Sequence, residues 1–165
     1  FGAIDPHFYE TGHGKAFMTY TIVRPGLDGQ RPHEEFVRYR QVDPRDPTRA
    51  LGPDLPLVDG TAGSDADGVA EAQEIVTIGK KSYAFVSIRD GDQDQRLMAA
   101  EVPRDLGRLK LADLQPFRYP GGEAWMAKAV GSCGVATIGK TPYLVHQGLD
   151  AQGRFTLGWT TVVAP

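Results

Sequence analysis

Cysteine is nearly missing from this sequence. Cys133 stands alone among 165 residues, so no disulfide can close within the chain. A lone cysteine does not decide between cytoplasm and export. A basic surplus is missing too: 18 Lys and Arg against 21 Asp and Glu leave a net charge of -3. That argues against a sequence-independent nucleic-acid binder, which needs cations to displace counterions from phosphates. No apolar run approaches the roughly 18 residues of a membrane helix. No basic segment precedes an apolar one at the start, and Phe1 is not an initiator. The start therefore reads as that of a mature, processed or truncated form.

Several signatures of chemistry are missing as well. There is no G-x-S-x-G nucleophile elbow, and Gly131-Ser132-Cys133-Gly134 does not supply one. A Cys133–His146 nucleophile is conceivable, but a buried structural cysteine is the stronger reading. No glycine motif cradles a phosphate. His7, His13, His33 and His146 show neither H-x-x-x-H nor Cys-His spacing, so a zinc site has no support. Asp65-Ala66-Asp67-Gly68 faintly resembles a calcium loop but lacks the later bidentate Glu.

What the chain has is turns and short strands. Its 41% hydrophobic content suits a globular fold, and its length suits one domain. Twenty glycines and 12 prolines leave little room for uninterrupted helix. Three Gly-Lys pairs, Gly14-Lys15, Gly79-Lys80 and Gly139-Lys140, each precede a β-rich run, at intervals of 65 and 60 residues. Glu35 to Val42 alternates apolar and polar residues, as a half-buried strand does. Strands are expected at Glu74–Ile78, Ser82–Ile88 and Gln95–Val102, then at Trp125–Val130, Gly134–Ile138, Pro142–Gln147 and Arg154–Val163. Pro25–Gly29, Thr61–Gly68 and Arg89–Asp94 read as loops or turns. Asp43–Asp59, with four prolines, reads as an irregular connection, and Leu106–Leu114 as an irregular edge.

Many short strands with a repeat of about 50 to 65 residues predict an all-β protein of β-propeller blades. Three blade-like repeats are expected within one unit, over about 1–60, 61–117 and 118–165. The alternative is a β-sandwich whose hairpins look alike by chance.

Two stretches carry a resemblance. Ile4-Asp5-Pro6-His7-Phe8, followed by Gly14-Lys15-Ala16-Phe17-Met18, resembles a blade start in the five-bladed β-propeller glycosidases. These are glycoside hydrolase family 43 and the related levansucrase and invertase families. Glu71-Ala72-Gln73-Glu74-Ile75, followed by Gly79-Lys80-Lys81-Ser82-Tyr83, resembles the next blade, with Gln73 where the family has Pro. The resemblance spans the hairpins of all three segments, about half the chain. It implies part of a five-bladed propeller acting on a sugar or oligosaccharide, with no nucleic acid or membrane partner. Asp5 matches the Asp that orients substrate, and Glu71 matches the general acid. The base or nucleophile belongs to a preceding blade, so a partner chain or homo-oligomer completing the ring is expected. An extracellular or periplasmic location is favoured over a cytoplasmic one.

Glycoside cleavage needs one protonated carboxylic acid and one ionised carboxylate. Asp5 and Glu71 on separate strands suit that division, with Glu74 the competitor for the acid role if the strand's register shifts by one. His7, Trp125 and Arg89 are the substrate-binding candidates. Phe8, Tyr20 and Trp159 are further aromatics able to stack on a sugar face. Arg45-Asp46-Pro47 matches a sugar-positioning triplet of the levansucrase-like families but reads here as loop chemistry. No cofactor is expected. The resemblance leaves room for a calcium ion on the propeller axis, lined by His146, although a core or edge histidine is the stronger reading.

Overall fold

The computed structural model describes residues 2–25, 33–59, 70–90, 94–103, 105–110, 113–117 and 124–162. The first sheet begins with β1 (Gly2–Glu10), β2 (Ala16–Pro25), β3 (His33–Asp43) and β4 (Asp46–Ala50), antiparallel neighbours in chain order. β5 (Leu55–Pro56) returns to pair with β3, and β6 (Val58–Asp59) leaves the sheet. The second sheet holds β7 (Ala70–Ile78), β8 (Lys81–Asp90) and β9 (Asp94–Val102). After the short β10 (Leu109–Lys110), β11 (Gln115–Pro116) joins its outer edge beside β9. A 3-10 turn over Ala124–Met126 leads into the third sheet, β12 (Ala129–Ile138), β13 (Thr141–Leu149) and β14 (Phe155–Thr161). β6 and β10 pair in parallel, Val58 beside Leu109, and tie the first two sheets together.

The repeated Gly-Lys pairs explain the hairpins. Gly79 and Gly139 both have φ of 65° and open two-residue turns, joining Ile78 to Lys81 and Ile138 to Thr141. A positive φ at the first central residue is the turn that matches strand twist, and glycine adopts it without strain. Gly14, at φ 73°, sits in a longer turn whose Thr11 amide donates to the Lys15 carbonyl.

Two apolar seams hold the sheets. Tyr9, Phe17, Val37 and Tyr39 of the first sheet pack with Ile75, Ala84 and Val86 of the second. Val76, Tyr83, Phe85 and Leu97, on the opposite face of the second sheet, pack with Leu144 and Val162 of the third. The period-2 alternation of strand side chains allows one sheet to feed both seams. Successive sheets of five, four and three strands, each seated on the next, are propeller blades, and the two-layer sandwich is set aside.

The structure corrects two further expectations. Arg45-Asp46-Pro47 is not in an irregular connection: Asp46 and Pro47 begin β4, the outer strand of the first blade. An edge strand tolerates proline because one row of its amides needs no ladder partner. Trp125 does not begin a strand but lies in the 3-10 turn, with β12 starting only at Ala129. The loops expected at Gly26–Gly29 and Thr61–Gly68 lie outside the described residues.

Candidate functional site

The seam between the first two blades carries an unusual polar network. β1 bulges between Ile4 and His7, and Asp5 takes a left-handed φ of 50° there. That conformation is uncommon outside glycine, although Asp tolerates it better than most residues. The bulge is held from the neighbouring blade. Gln73, only 2% exposed, donates from Nε2 to the Asp5 carbonyl at 2.8 Å. Its Nε2 also lies 3.3 Å from Thr19 Oγ1, and its Oε1 accepts from Thr21 Oγ1 at 3.2 Å. Thr19 and Thr21 are fully buried. Two hydroxyls in an otherwise apolar run are thus explained: they pair with the amide that crosses the seam. A buried amide is tolerated because its donors and acceptor all find partners.

His7 follows the bulge and also crosses to β7. Its Nδ1 stands 2.8 Å from Glu74 Oε2, with both side chains about four-fifths buried, at 20% and 18% exposure. Its Nε2 accepts from the Ile75 amide at 3.4 Å. An Nε2 that accepts leaves the hydrogen on Nδ1, facing the carboxylate, so the two contacts select one tautomer. Chemically, this pair orients a carboxylate across the seam through a histidine two residues from the exposed, left-handed Asp5.

The sequence candidates divide accordingly. His7 and Glu74 meet at the first seam, and the backbone carbonyl of Asp5 is held there by Gln73. Glu71 lies on β7 opposite Ser87, and Arg89 at the end of β8 opposite Gln95, but their side chains, like that of Cys133, lie outside the described part. Trp125 is elsewhere. Its indole stacks on His146, ring centroids 5.2 Å apart and 21° from parallel, and covers Gly148 and Gly158. A Cβ on either glycine would overlap the indole, so these glycines form a bare floor for the ring. His146 is 1% exposed, and burial lowers its pKa from the ordinary histidine value. Among the described residues, no three His, Cys, Asp or Glu side chains converge as a metal site would need. Tyr20 donates its hydroxyl to Asp54 at 2.7 Å, on the far face of the first blade. Phe8 and Trp159 are exposed, at 39% and 71%.

Gln73 is the residue that sequence reasoning passed over. The available signal was the polar set Thr19, Thr21 and Gln73 at positions where strand alternation demands apolar side chains. A cavity of about 550 Å³ opens at the turn end of the same seam, lined by Tyr9, His13, Thr77, Lys80, Lys81 and Glu101 among others. None of the sequence-predicted site residues lines it.

No protein-family model matches the sequence, and no curated protein matches it. Solved structures do. An endo-1,4-beta-xylanase from Bacteroides thetaiotaomicron superposes with a TM-score of 0.66 at 13% identity, over 100% of this chain and 51% of its own. A mutant alpha-L-arabinanase from Cellvibrio cellulosa gives 0.64 at 17% identity, over 96% of this chain and 52% of its own. A sucrose-6-phosphate hydrolase from Lactobacillus gasseri gives 0.62 at 13% identity, over 93% of this chain and 31% of its own. The chain spans about half the length of the xylanase and arabinanase it matches. The likeness is one of fold: the chain has the fold of part of the β-propeller on which these enzymes are built.

Proposed function

We propose that the chain is the substrate-orienting part of a carbohydrate-active propeller that cleaves glycosidic bonds. The observation that carries this reading is the Asp5 bulge. Left-handed, non-glycine backbone is costly and persists where surrounding structure over-determines it, often at functional sites. Here the Gln73 amide, two buried threonines and the His7–Glu74 pair all brace that one turn of β1. Asp5 would hold and orient a sugar hydroxyl. A carboxylic acid on β7, Glu71 or its competitor Glu74, would protonate the leaving oxygen. The remaining carboxylate would come from outside these blades and act as base or nucleophile, completing the division of labour that glycoside hydrolysis requires. Arg89 would contact substrate, and an extracellular or periplasmic setting suits a polysaccharide-directed enzyme. The second reading is a sugar-binding module without turnover, favoured by the absence of a third carboxylate from the described site.

The test is hydrolysis of aryl arabinofuranosides and aryl xylosides by the chain in the native assembly that contains it. Native mass spectrometry of that assembly identifies what completes the ring. Asp5→Asn should cut kcat/KM at least a hundredfold. Glu71→Gln and Glu74→Gln separate the two acid candidates, because only the true acid loses more on poor leaving groups than on good ones. If the assembly binds these sugars and hydrolyses none of them, the binding module is the correct reading.

A further inference from the structure

The two ends of the first seam differ in kind. At one end Gln73 holds the Asp5 carbonyl. Tyr9 and Thr77 each lie four positions further along β1 and β7, so roughly 13 Å of strand separates the cavity from the Asp5 bulge. There Tyr9 Oη and Ser82 Oγ lie 2.8 Å apart, and Ser82 Oγ and Thr77 Oγ1 also 2.8 Å apart. Tyr9 is buried, so its hydroxyl needs a partner, and Ser82 supplies it. The hydroxyl chain nevertheless runs on to Thr77, which lines the cavity. Three hydroxyls hold three protons, and the two bonds between them use two. One proton is left to donate outward, with lone pairs left to accept.

The charges around this chain are unbalanced. Lys80 and Lys81 line the cavity with Glu101 of β9. Glu101 Oε2 accepts from Lys81 Nζ at 2.8 Å, while Lys80 pairs with no carboxylate among the described residues. Two ammonium groups thus face one carboxylate. The opposite wall is pinned in place. His13 sits in the turn of the first hairpin, where Thr11 Oγ1 accepts from the His13 amide at 3.4 Å and from the Lys15 amide at 3.3 Å. Lys15 Nζ reaches Asp105, beyond β9, at 2.7 Å and ties that turn to the second blade. The cavity volume of about 550 Å³ falls within the roughly 300–1,000 Å³ of small-molecule sites. Walls held from both blades also lower the ordering cost of binding.

We infer that this cavity is a second binding site, and that its ligand is a hydroxyl-rich small anion: a sugar bearing one carboxylate or phosphate group. Lys80 takes the anionic group. The spare hydroxyl proton donates to a ligand oxygen, and Glu101 accepts from a ligand hydroxyl. A bare anion would set its charge against Glu101, and a neutral sugar would leave Lys80 unused, so the mixed lining discriminates against both. The site shares no residue with the Asp5 bulge and stands apart from the catalytic reading.

The experiment titrates the full chain with glucuronate, glucose 6-phosphate, glucose and inorganic phosphate, read by calorimetry and by amide NMR shifts. At least one of the two anionic sugars should bind with a dissociation constant of about 1 mM or tighter, and about tenfold more tightly than glucose or inorganic phosphate. Comparing the two names the preferred anion. Amide shifts should move at His13, Thr77 and Ser82 and stay fixed at His7 and Gln73. Lys80 is exposed, so Lys80→Ala keeps the fold and should weaken binding about tenfold. Ser82→Ala, which cuts the hydroxyl chain, should weaken it several-fold. Failure of both anionic sugars to saturate would overturn the inference. So would glucose or inorganic phosphate binding as tightly as they do, unchanged affinity in Lys80→Ala, or shifts confined to the His7 end.

Discussion

The two seams of this molecule share the strands of the second blade and serve different ends. The first mixes apolar packing with a crossing amide, two buried hydroxyls and a His–Glu pair. The second is dry and aromatic: Phe85 meets Phe117 edge-on at 5.4 Å, and Leu144 is fully buried beside Val76 and Tyr83. A dry seam provides cohesion and tolerates any well-packed apolar set. A polar seam is stable only when every partner is present, so it fixes one geometry. The molecule spends its specificity at the end of β1 that carries Asp5.

That contrast can be broken most forcefully at Gln73. Gln73→Leu should lose roughly 2–4 kcal/mol, because Thr19, Thr21 and the Asp5 carbonyl each lose a partner while buried or half-buried. Denaturant unfolding would measure it. A loss below about 0.5 kcal/mol would mean that the amide does not brace the bulge. Second in size is Gly158→Ala. Its Cβ would overlap the Trp125 indole, and overpacking of this kind costs about 1–3 kcal/mol. Pairing the substitution with Trp125→Ala should relieve most of the cost, and a double-mutant cycle would reveal the coupling.

The pH dependence sharpens the comparison further. His146 has its pKa lowered, first by burial, so the folded state resists protonation that the unfolded chain accepts. Stability should therefore be full above the ordinary histidine value of 6.5 and fall as pH drops through it. His146→Leu should flatten that slope in melting curves taken across this range. The smallest effect is expected at Asp150, which closes the β13–β14 hairpin. Its Oδ1 accepts from the Gln152 and Arg154 amides, each at 2.9 Å, and its Oδ2 from Arg154 Nε at 2.7 Å. These contacts, the Arg154 amide foremost, hold its pKa below the usual carboxylate value. Their contribution is present above that value and is lost as pH falls through the depressed one. Asp150→Asn should leave stability near neutrality slightly lower and remove this acid-side component, as local exchange at the hairpin would show.

Much of the fold was legible because its signals are local. Gly-Lys turns, two-residue alternation and the repeat at 60 residues each follow from chemistry within a few positions. Asp46-Pro47 was misread because an outer strand looks like a loop when its proline faces no ladder. Trp125 was misread as a strand start because nothing in Gly121-Gly122-Glu123 announces a 3-10 turn. At the site, Asp5 and His7 were visible in the motif that opens the chain. Gln73 was not, since its role exists only once another blade brings Thr19, Thr21 and the Asp5 carbonyl within reach. Burial was hidden for the same reason: Leu97 and Leu157 occupy matching positions, and only what lies across the seam separates 3% from 76% exposure.

The parallel pairing of β6 with β10 reaches beyond architecture. Leu109 donates its amide to the Leu57 carbonyl at 2.7 Å, so residues about fifty positions apart share a ladder at the rim. Leu57 in turn donates its amide to the Val37 carbonyl of β3 at 2.9 Å, so the small ladder belongs to neither blade's sheet yet fastens the connection after β9 to the first blade. It acts as a clasp: load on the connection that leaves the second blade passes to the first, whose β1 carries the Asp5 turn.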